Sequence, residues 1–151
     1  MSDALAFMMG EFRAEFPIDR LYANNHMWAL PLDGVIRFGF TAYAVRLLQD
    51  VYFLDWAFDA PRDVTRRQEI GSIESKKAES SLYCPISGQL VRFNERLMKD
   101  PSAINVDKYD QGWLLEIAGP PDELLSPQQY VTFLDKAWEK TQRTIKGQMN
   151  E

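Results

Sequence analysis

The chain has 151 residues with a formal net charge of −5, and 46% of its residues are hydrophobic and 26% charged. These values are typical of one globular domain, and the acidic balance disfavours general binding to nucleic acid or to an anionic membrane surface. A single cysteine, Cys84, and a single histidine, His26, exclude an intramolecular disulfide and a zinc site made of Cys and His alone. A chain without a disulfide framework suits a reducing compartment, so we expect a cytoplasmic protein, and no run approaches the ~20 apolar residues of a membrane span.

Residues 1–20 are predicted to form an N-terminal extension with one short helix that docks on the rest of the protein. Ser2 is placed to cap this helix. The apolar face of the helix would consist of four residues at helical spacing, Leu5, Met8, Met9 and Phe12. The segment lacks a basic n-region and runs directly into charged residues, which is not the pattern of a signal peptide.

Residues 21–118 read as short strands between turns. Asp33-Gly34 predicts a hairpin turn between strands 28–32 and 35–40, Pro31 indicates an edge strand, and Thr41 precedes a short helix. Further strands are expected at 51–56, 70–73, 80–84, 89–93 and 113–117. Short strands at this spacing predict a mainly β barrel or sandwich, not a parallel α/β sheet.

Residues 119–151 are predicted to form a C-terminal helix that packs on the same domain. Ser126, Pro127 and Gln129 fit the first positions of a helix with a capping box, and Gly147 is placed to end it. Apolar and aromatic residues then recur at helical spacing: Tyr130, Phe133, Leu134, Ala137, Trp138, Thr141 and Ile145. Such a stripe is typical of a packed face, and less so of a ligand site.

The segment that most clearly indicates a functional site is Glu74-Ser75-Lys76-Lys77-Ala78, which lies between two predicted strands. It predicts an exposed lysine at the tip of a rigid hairpin. A lysine in that position is open to a modifying enzyme and to several partners in turn. From composition alone, the ordinary interpretation is a solvated turn lysine.

The same segment resembles the lipoylation motif of the glycine cleavage system H-protein family, Glu-Ser-x-Lys-Ala-x-Ser followed by x-x-Tyr-x-Pro-x-Ser-Gly. The matching residues are Glu74, Ser75, Lys77, Ala78, Ser80, Tyr83, Pro85, Ser87 and Gly88. Flanking matches are Tyr22, His26, Trp28, Gly39, Thr41, Tyr43, Ala44, Asn94, Leu97, Pro101, Asn105, Tyr109, Gly112, Trp113 and Leu114. The resemblance therefore covers most of residues 22–117.

The resemblance implies a barrel-sandwich hybrid that acts as a lipoyl carrier and not as an enzyme. Lipoate would be attached through an amide to Lys77, with Glu74, Ser75 and Ala78 forming the recognition hairpin. The implied partners are glycine decarboxylase, an aminomethyltransferase, dihydrolipoamide dehydrogenase and a lipoate ligase or lipoyl transferase. His26 would lie near the cleft that receives the arm; a hairpin histidine without a special role is the equal alternative.

Several positions leave alternatives open. Lys76 stands where the family usually has an apolar residue, but the offset from the Glu-Ser pair favours Lys77 as the attachment point. Met27 stands where the family usually has Glu, which keeps an H-like carrier for heterodisulfide-reductase-like sulfur oxidation as an alternative. An unmodified interaction module is another. Cys84 is interpreted as a small packed hydrophobe, and a Cys84–His26 hydrolase dyad is the enzyme alternative.

Overall fold

The computed structural model describes residues 3–149, with side chains described as far as residue 142. In chain order the described residues form β1 (Ala4–Met9), β2 (Phe12–Pro17), β3 (Leu21–Tyr22), β4 (Met27–Leu32), β5 (Val35–Phe40), α1 (Ala42–Leu48), β6 (Val51–Trp56), β7 (Arg62–Val64), β8 (Glu69–Ser75), β9 (Glu79–Tyr83), β10 (Gly88–Phe93), α2 (Arg96–Lys99), α3 (Ala103–Val106), β11 (Leu115–Ala118) and α4 (Pro127–Met149). The mainly β prediction is confirmed. None of these helices combines the length and the hydropathy that crossing a membrane requires.

Two antiparallel sheets enclose the main core. One has six strands in the order β3-β4-β5-β11-β10-β7, and the other has three in the order β6-β8-β9. Their inward side chains form one buried cluster that includes Ile36, Phe38, Ile73, Leu90 and Ile117. Because both sheets contribute to it, the short three-stranded sheet is held rigidly against the larger one.

The predicted hairpin at residues 28–40 is confirmed as β4 and β5. Its turn contains Gly34 at φ +79°, a left-handed conformation that glycine adopts readily. Strand β3 pairs with β4 only at Trp28 and Ala29, so among the described residues no strand pairs with the Pro31 end of β4 on that side. The proline therefore marks a local open edge, as its missing N–H requires.

The N-terminal helix prediction is wrong, because residues 4–17 form the β1–β2 hairpin. Buried side chains alternate along both strands, at Phe7, Met9, Ala14 and Phe16. Gly10 has φ +66° at the first of the two turn residues, the place that a type II′ turn gives to glycine. A six-residue apolar run fits a strand and a helix alike, and antiparallel pairing with β2, along which buried and exposed residues alternate, decides for the strand. Ser2, the predicted cap, lies outside the described residues.

Helix α4 begins as predicted. Gln129 N donates to Ser126 Oγ at 3.2 Å, and Ser126 N donates to Gln129 Oε1 at 2.8 Å, which is a reciprocal capping box. The predicted end at Gly147 is wrong, since the helix continues to Met149; one glycine costs a helix only about 1 kcal/mol. Tyr130 and Leu134 are fully buried, which confirms the packed face for the first part of the helix. Ile145, the last residue of the predicted face, lies outside the residues whose side chains are described.

A second apolar cluster joins the parts outside the main core. It contains Phe7 and Phe16 from the hairpin, Trp28 from β4, Tyr43 from α1 and Tyr130 from α4. The rings of Tyr22 and Tyr130 stack at 4.8 Å between centroids. The N-terminal hairpin and α4 are thus packed on the same body as the strands.

Candidate functional site

The bend between β8 and β9 is closed by Ser75 and Ala78. Ser75 N donates to Ala78 O at 2.8 Å, and Ala78 N donates to Ser75 Oγ at 3.2 Å. The Ser75 hydroxyl also donates to Ala78 O at 3.2 Å, and Ser75 itself is buried. The serine side chain thus fixes a bend whose two outer residues are Lys76 and Lys77. Ser75 and Ala78, the two motif residues that flank the lysines, therefore stabilise the bend.

Lys77 lies at the tip of this bend with its side chain exposed. In the described part of the chain, no group forms a hydrogen bond or an ion pair with its ammonium group. Lys76 is also exposed, but its backbone N donates to Asp50 O at 2.9 Å, which ties that side of the bend to the segment before β6. The base of the bend is therefore anchored while the Lys77 side chain is free.

A shallow cavity of about 440 Å³ borders the bend and is lined by Tyr52, Glu74, Glu79 and residues 75–78. Tyr52 is 62% exposed, and it sits at an irregularity in β6, between the Val51 and Phe53 pairings with β8. Sequence reasoning missed Tyr52 as a neighbour of the lysines. The signal that could have found it is the consecutive pair of aromatic residues in a strand, which breaks the alternation of buried and exposed positions.

Two carboxyl groups lie side by side at the base of the bend. Glu74 and Glu79 are directly paired across β8 and β9. A hydrogen bond with Glu79 raises the pKa of Glu74 above its ordinary value, and desolvation and the charge of Glu79 add to this. Glu79 is exposed and Glu74 is partly exposed, so the two carboxyl groups present an acidic surface next to Lys77.

His26 lies in the loop before β4 with φ +69°. Its Nδ1 is 2.9 Å from the Tyr130 hydroxyl, and its ring is 4.6 Å from that of Tyr43. The Tyr130 hydroxyl is also 2.9 Å from Thr41 Oγ1. Burial lowers the pKa of His26 to about 4, so the imidazole is neutral at pH 7. This polar group links α4, α1 and the β3–β4 loop.

His26 and Lys77 lie near opposite ends of strand β9. The neighbour of His26, Asn25, donates its Nδ2 to Tyr83 O at 3.0 Å, at the end of β9 remote from the bend. Six residues of extended chain separate Tyr83 from Lys77, which is roughly 20 Å. The structure thus places His26 beside the same strand but not at the bend, and its role near an arm cleft stays a prediction.

The buried imidazole predicts a pH-dependent stability. His26 has an ordinary pKa of 6.5 and a lowered pKa of about 4 in the folded chain. Below pH 6.5 the unfolded chain therefore binds more protons, and the free energy of unfolding should fall by about 2 kcal/mol between pH 7.5 and pH 5 on account of this group. Urea denaturation of the native chain and of His26→Asn at both pH values measures it. Asn accepts the left-handed conformation. Equal pH dependence of the two proteins would contradict the prediction.

Cys84 is buried, and its thiol donates to Ile86 O at 3.1 Å. Burial raises the pKa of the thiol to about 11, which leaves it protonated at pH 7. Its surroundings are apolar core, and the imidazole of His26 is engaged by Tyr130 instead. This confirms the packed-hydrophobe interpretation and does not support a Cys84–His26 dyad. Within the described residues, no group of three or more His, Cys, Asp or Glu side chains could hold a metal ion.

Comparisons with known proteins agree with this geometry. The family model described as "Glycine cleavage H-protein" matches residues 20–137. The "Probable glycine cleavage system H protein" of Natronomonas pharaonis is 39% identical over 119 residues, covering 77% of this chain and 94% of the relative. The glycine cleavage system H protein of Thermus thermophilus is 34% identical over 125 residues, covering 80% and 97%.

A solved structure is similar as well. The crystal structure of a glycine cleavage system H protein from Mycobacterium marinum aligns with a TM-score of 0.68 and 33% identity, covering 78% of this chain and 97% of that one. The likeness confirms the barrel-sandwich hybrid. The matched residues include the whole Lys77 bend and exclude the N-terminal hairpin β1–β2. By sequence and by structure, the chain belongs to the glycine cleavage system H-protein family.

Proposed function

We propose that this protein is a lipoyl carrier, with lipoate attached through an amide to Nζ of Lys77. The observation that carries the proposal is the exposed, unpaired ammonium group at the tip of a bend that Ser75 and Ala78 close. An attaching enzyme needs an amine that it can reach and deprotonate, and no described partner competes for this one. The family membership supports the same cofactor.

In this proposal the chain positions the group and does not perform the chemistry. Bound lipoate would supply thiol–disulfide exchange and a carrying point for an aminomethyl unit and reducing equivalents. Glu74, Ser75 and Ala78 form the recognition hairpin: Ser75 and Ala78 fix the bend, and Glu74 presents a carboxyl next to it. Residues 21–118 are the carrier unit, and the terminal elements pack on it.

The proposed partners are those of the glycine cleavage system: glycine decarboxylase, an aminomethyltransferase and dihydrolipoamide dehydrogenase, with a lipoate ligase or lipoyl transferase to load the lysine. The names of the similar proteins support this pathway. Each partner must reach the same side chain in turn, which its position at the tip of the bend allows. We propose a cytoplasmic location for the same system.

The residue at position 27 supports a second candidate pathway for the carrier. Met27, where the family usually has Glu, is 1% exposed and belongs to the main core. The chain therefore presents no carboxylate from that position to a loaded arm. An H-like lipoate carrier for another pathway, such as heterodisulfide-reductase-like sulfur oxidation, is the alternative that this substitution supports.

The test is to express the full chain with a lipoate ligase and lipoate, and to measure its intact mass. One lipoyl increment is expected; its absence would overturn the carrier proposal and favour an unmodified interaction module. The loaded protein is then combined with glycine decarboxylase, aminomethyltransferase and dihydrolipoamide dehydrogenase. Glycine-dependent NADH formation supports the glycine pathway. Loading without NADH formation overturns that assignment and leaves the alternative pathway.

A further inference from the structure

A cavity of about 450 Å³ lies at the end of β6 remote from the Lys77 bend, between β6, β10 and α2. Aromatic rings form its walls. The rings of Trp56 and Phe93 stack at 4.3 Å between centroids, and Phe58 lies 6.1 Å from Phe93. Met98, on α2, is half exposed at the rim. The volume is within the range of sites that hold small ligands or single anchoring side chains.

The rim of the cavity is acidic. Asp55, Asp59 and Glu95 line it, all three are exposed, and none forms an ion pair within the described part of the chain. The single cation of the lining, Arg92, is already bound to the buried carboxylate of Glu116. The cavity therefore attracts cations, and its aromatic faces strengthen that preference.

A peptide arginine offers what these groups lack. Its planar guanidinium stacks on aromatic rings and binds carboxylates with two N–H groups. Lysine matches less well because its ammonium is compact and strongly hydrated. The chain itself shows the affinity of this region for a guanidinium, since Arg62 lies 4.5 Å over the ring of Phe58.

We propose that this cavity, lined by Trp56, Phe58, Phe93, Asp55, Asp59 and Glu95, is a docking site for an arginine-bearing segment of a partner protein. Trp56 pairs with Gly71 on β8, and Ser75 at the start of the bend is four residues farther along, roughly 13 Å. A partner seated in the cavity would lie beside the Lys77 bend without covering it. The site does not depend on modification of Lys77.

The experiment titrates the full-length, unmodified chain, labelled with ¹⁵N, with N-acetyl-arginine N-methylamide. The Trp56 indole resonance is assigned by its loss in Trp56→Phe. We expect a saturable shift of this resonance, and at least tenfold weaker binding of the citrulline analogue, which is neutral but has nearly the same shape. No shift with the arginine probe, or equal binding of both probes, would overturn the proposal.

Variants of the rim test the charge requirement. Asp59→Asn with Glu95→Gln is expected to weaken binding of the arginine probe at least fivefold, because the cation loses two of its three carboxylates. Both residues are exposed, so the remaining ¹H–¹⁵N spectrum should stay unchanged and report an intact fold. Asp33→Asn, which removes an exposed carboxylate from the β4–β5 turn, is the matched control. Unchanged binding by the rim variant would also overturn the proposal.

Discussion

Lys77→Arg is expected to abolish lipoylation of the chain, whereas Lys76→Arg should leave it intact. Arginine preserves the positive charge and the exposed position, but its guanidinium stays protonated and cannot act as the acyl acceptor. Neither side chain contributes a described contact to the fold, so both variants should fold like the native chain. Coexpression with a lipoate ligase, followed by intact mass and peptide mapping, measures the outcome.

The contrast between the two lysines tests the geometry of the bend. The backbone of Lys76 is held by Asp50, and the Ser75–Ala78 hydrogen bonds leave Lys77 at the tip. We expect the loading rate of Lys76→Arg to remain within about twofold of the native rate, since this variant keeps the amine that is acylated. A lipoyl group on Lys76 in either protein, or loss of loading in Lys76→Arg alone, would refute the assignment of Lys77.

Local signals in the sequence were sufficient for much of the site. Turn and cap residues act on their immediate neighbours, so Asp33-Gly34 and the Ser126–Gln129 capping box predicted elements that the structure contains. The Lys77 hairpin was predictable for the same reason. Its two strands are adjacent in sequence, and Ser75 and Ala78 close it locally.

The parts that failed depend on distant partners. The apolar run of β1 is compatible with two periodicities, and only the facing residues of β2 and α4 determine which one is realised. Strand β7 directly follows Pro61, a residue type that is typical of turns, and it forms a strand because β10 pairs with it. The position of Tyr52 next to the lysines follows from an irregularity in the β6–β8 pairing, of which the sequence shows only the consecutive aromatic residues Tyr52 and Phe53.

The least predictable feature is a buried carboxylate in the middle of the six-stranded sheet. Glu116 on β11 is 1% exposed and lies between Arg37 on β5 and Arg92 on β10. Arg37 Nε donates to Glu116 Oε2 at 3.0 Å, and Arg92 donates to Oε1 of the same carboxylate. The guanidinium of Arg37 also lies 4.5 Å over the ring of Trp113. The two arginines compensate the buried charge from both neighbouring strands.

Glu116→Ala is therefore expected to lower the free energy of unfolding by about 3 kcal/mol, because it leaves two guanidinium groups unpaired on the sheet and a void beside them. The partial exposure of Arg37 and Arg92 keeps the loss below that of a fully buried pair. Glu15→Ala is the matched control, since it removes the exposed carboxylate of the Arg13–Glu15 pair on β2, and it should cost less than about 1 kcal/mol. Urea denaturation at pH 7 gives both values. An equal loss of unfolding free energy in the two variants would contradict the prediction, because the Glu116 carboxylate would then not stabilise the pairing of β11 with β5 and β10.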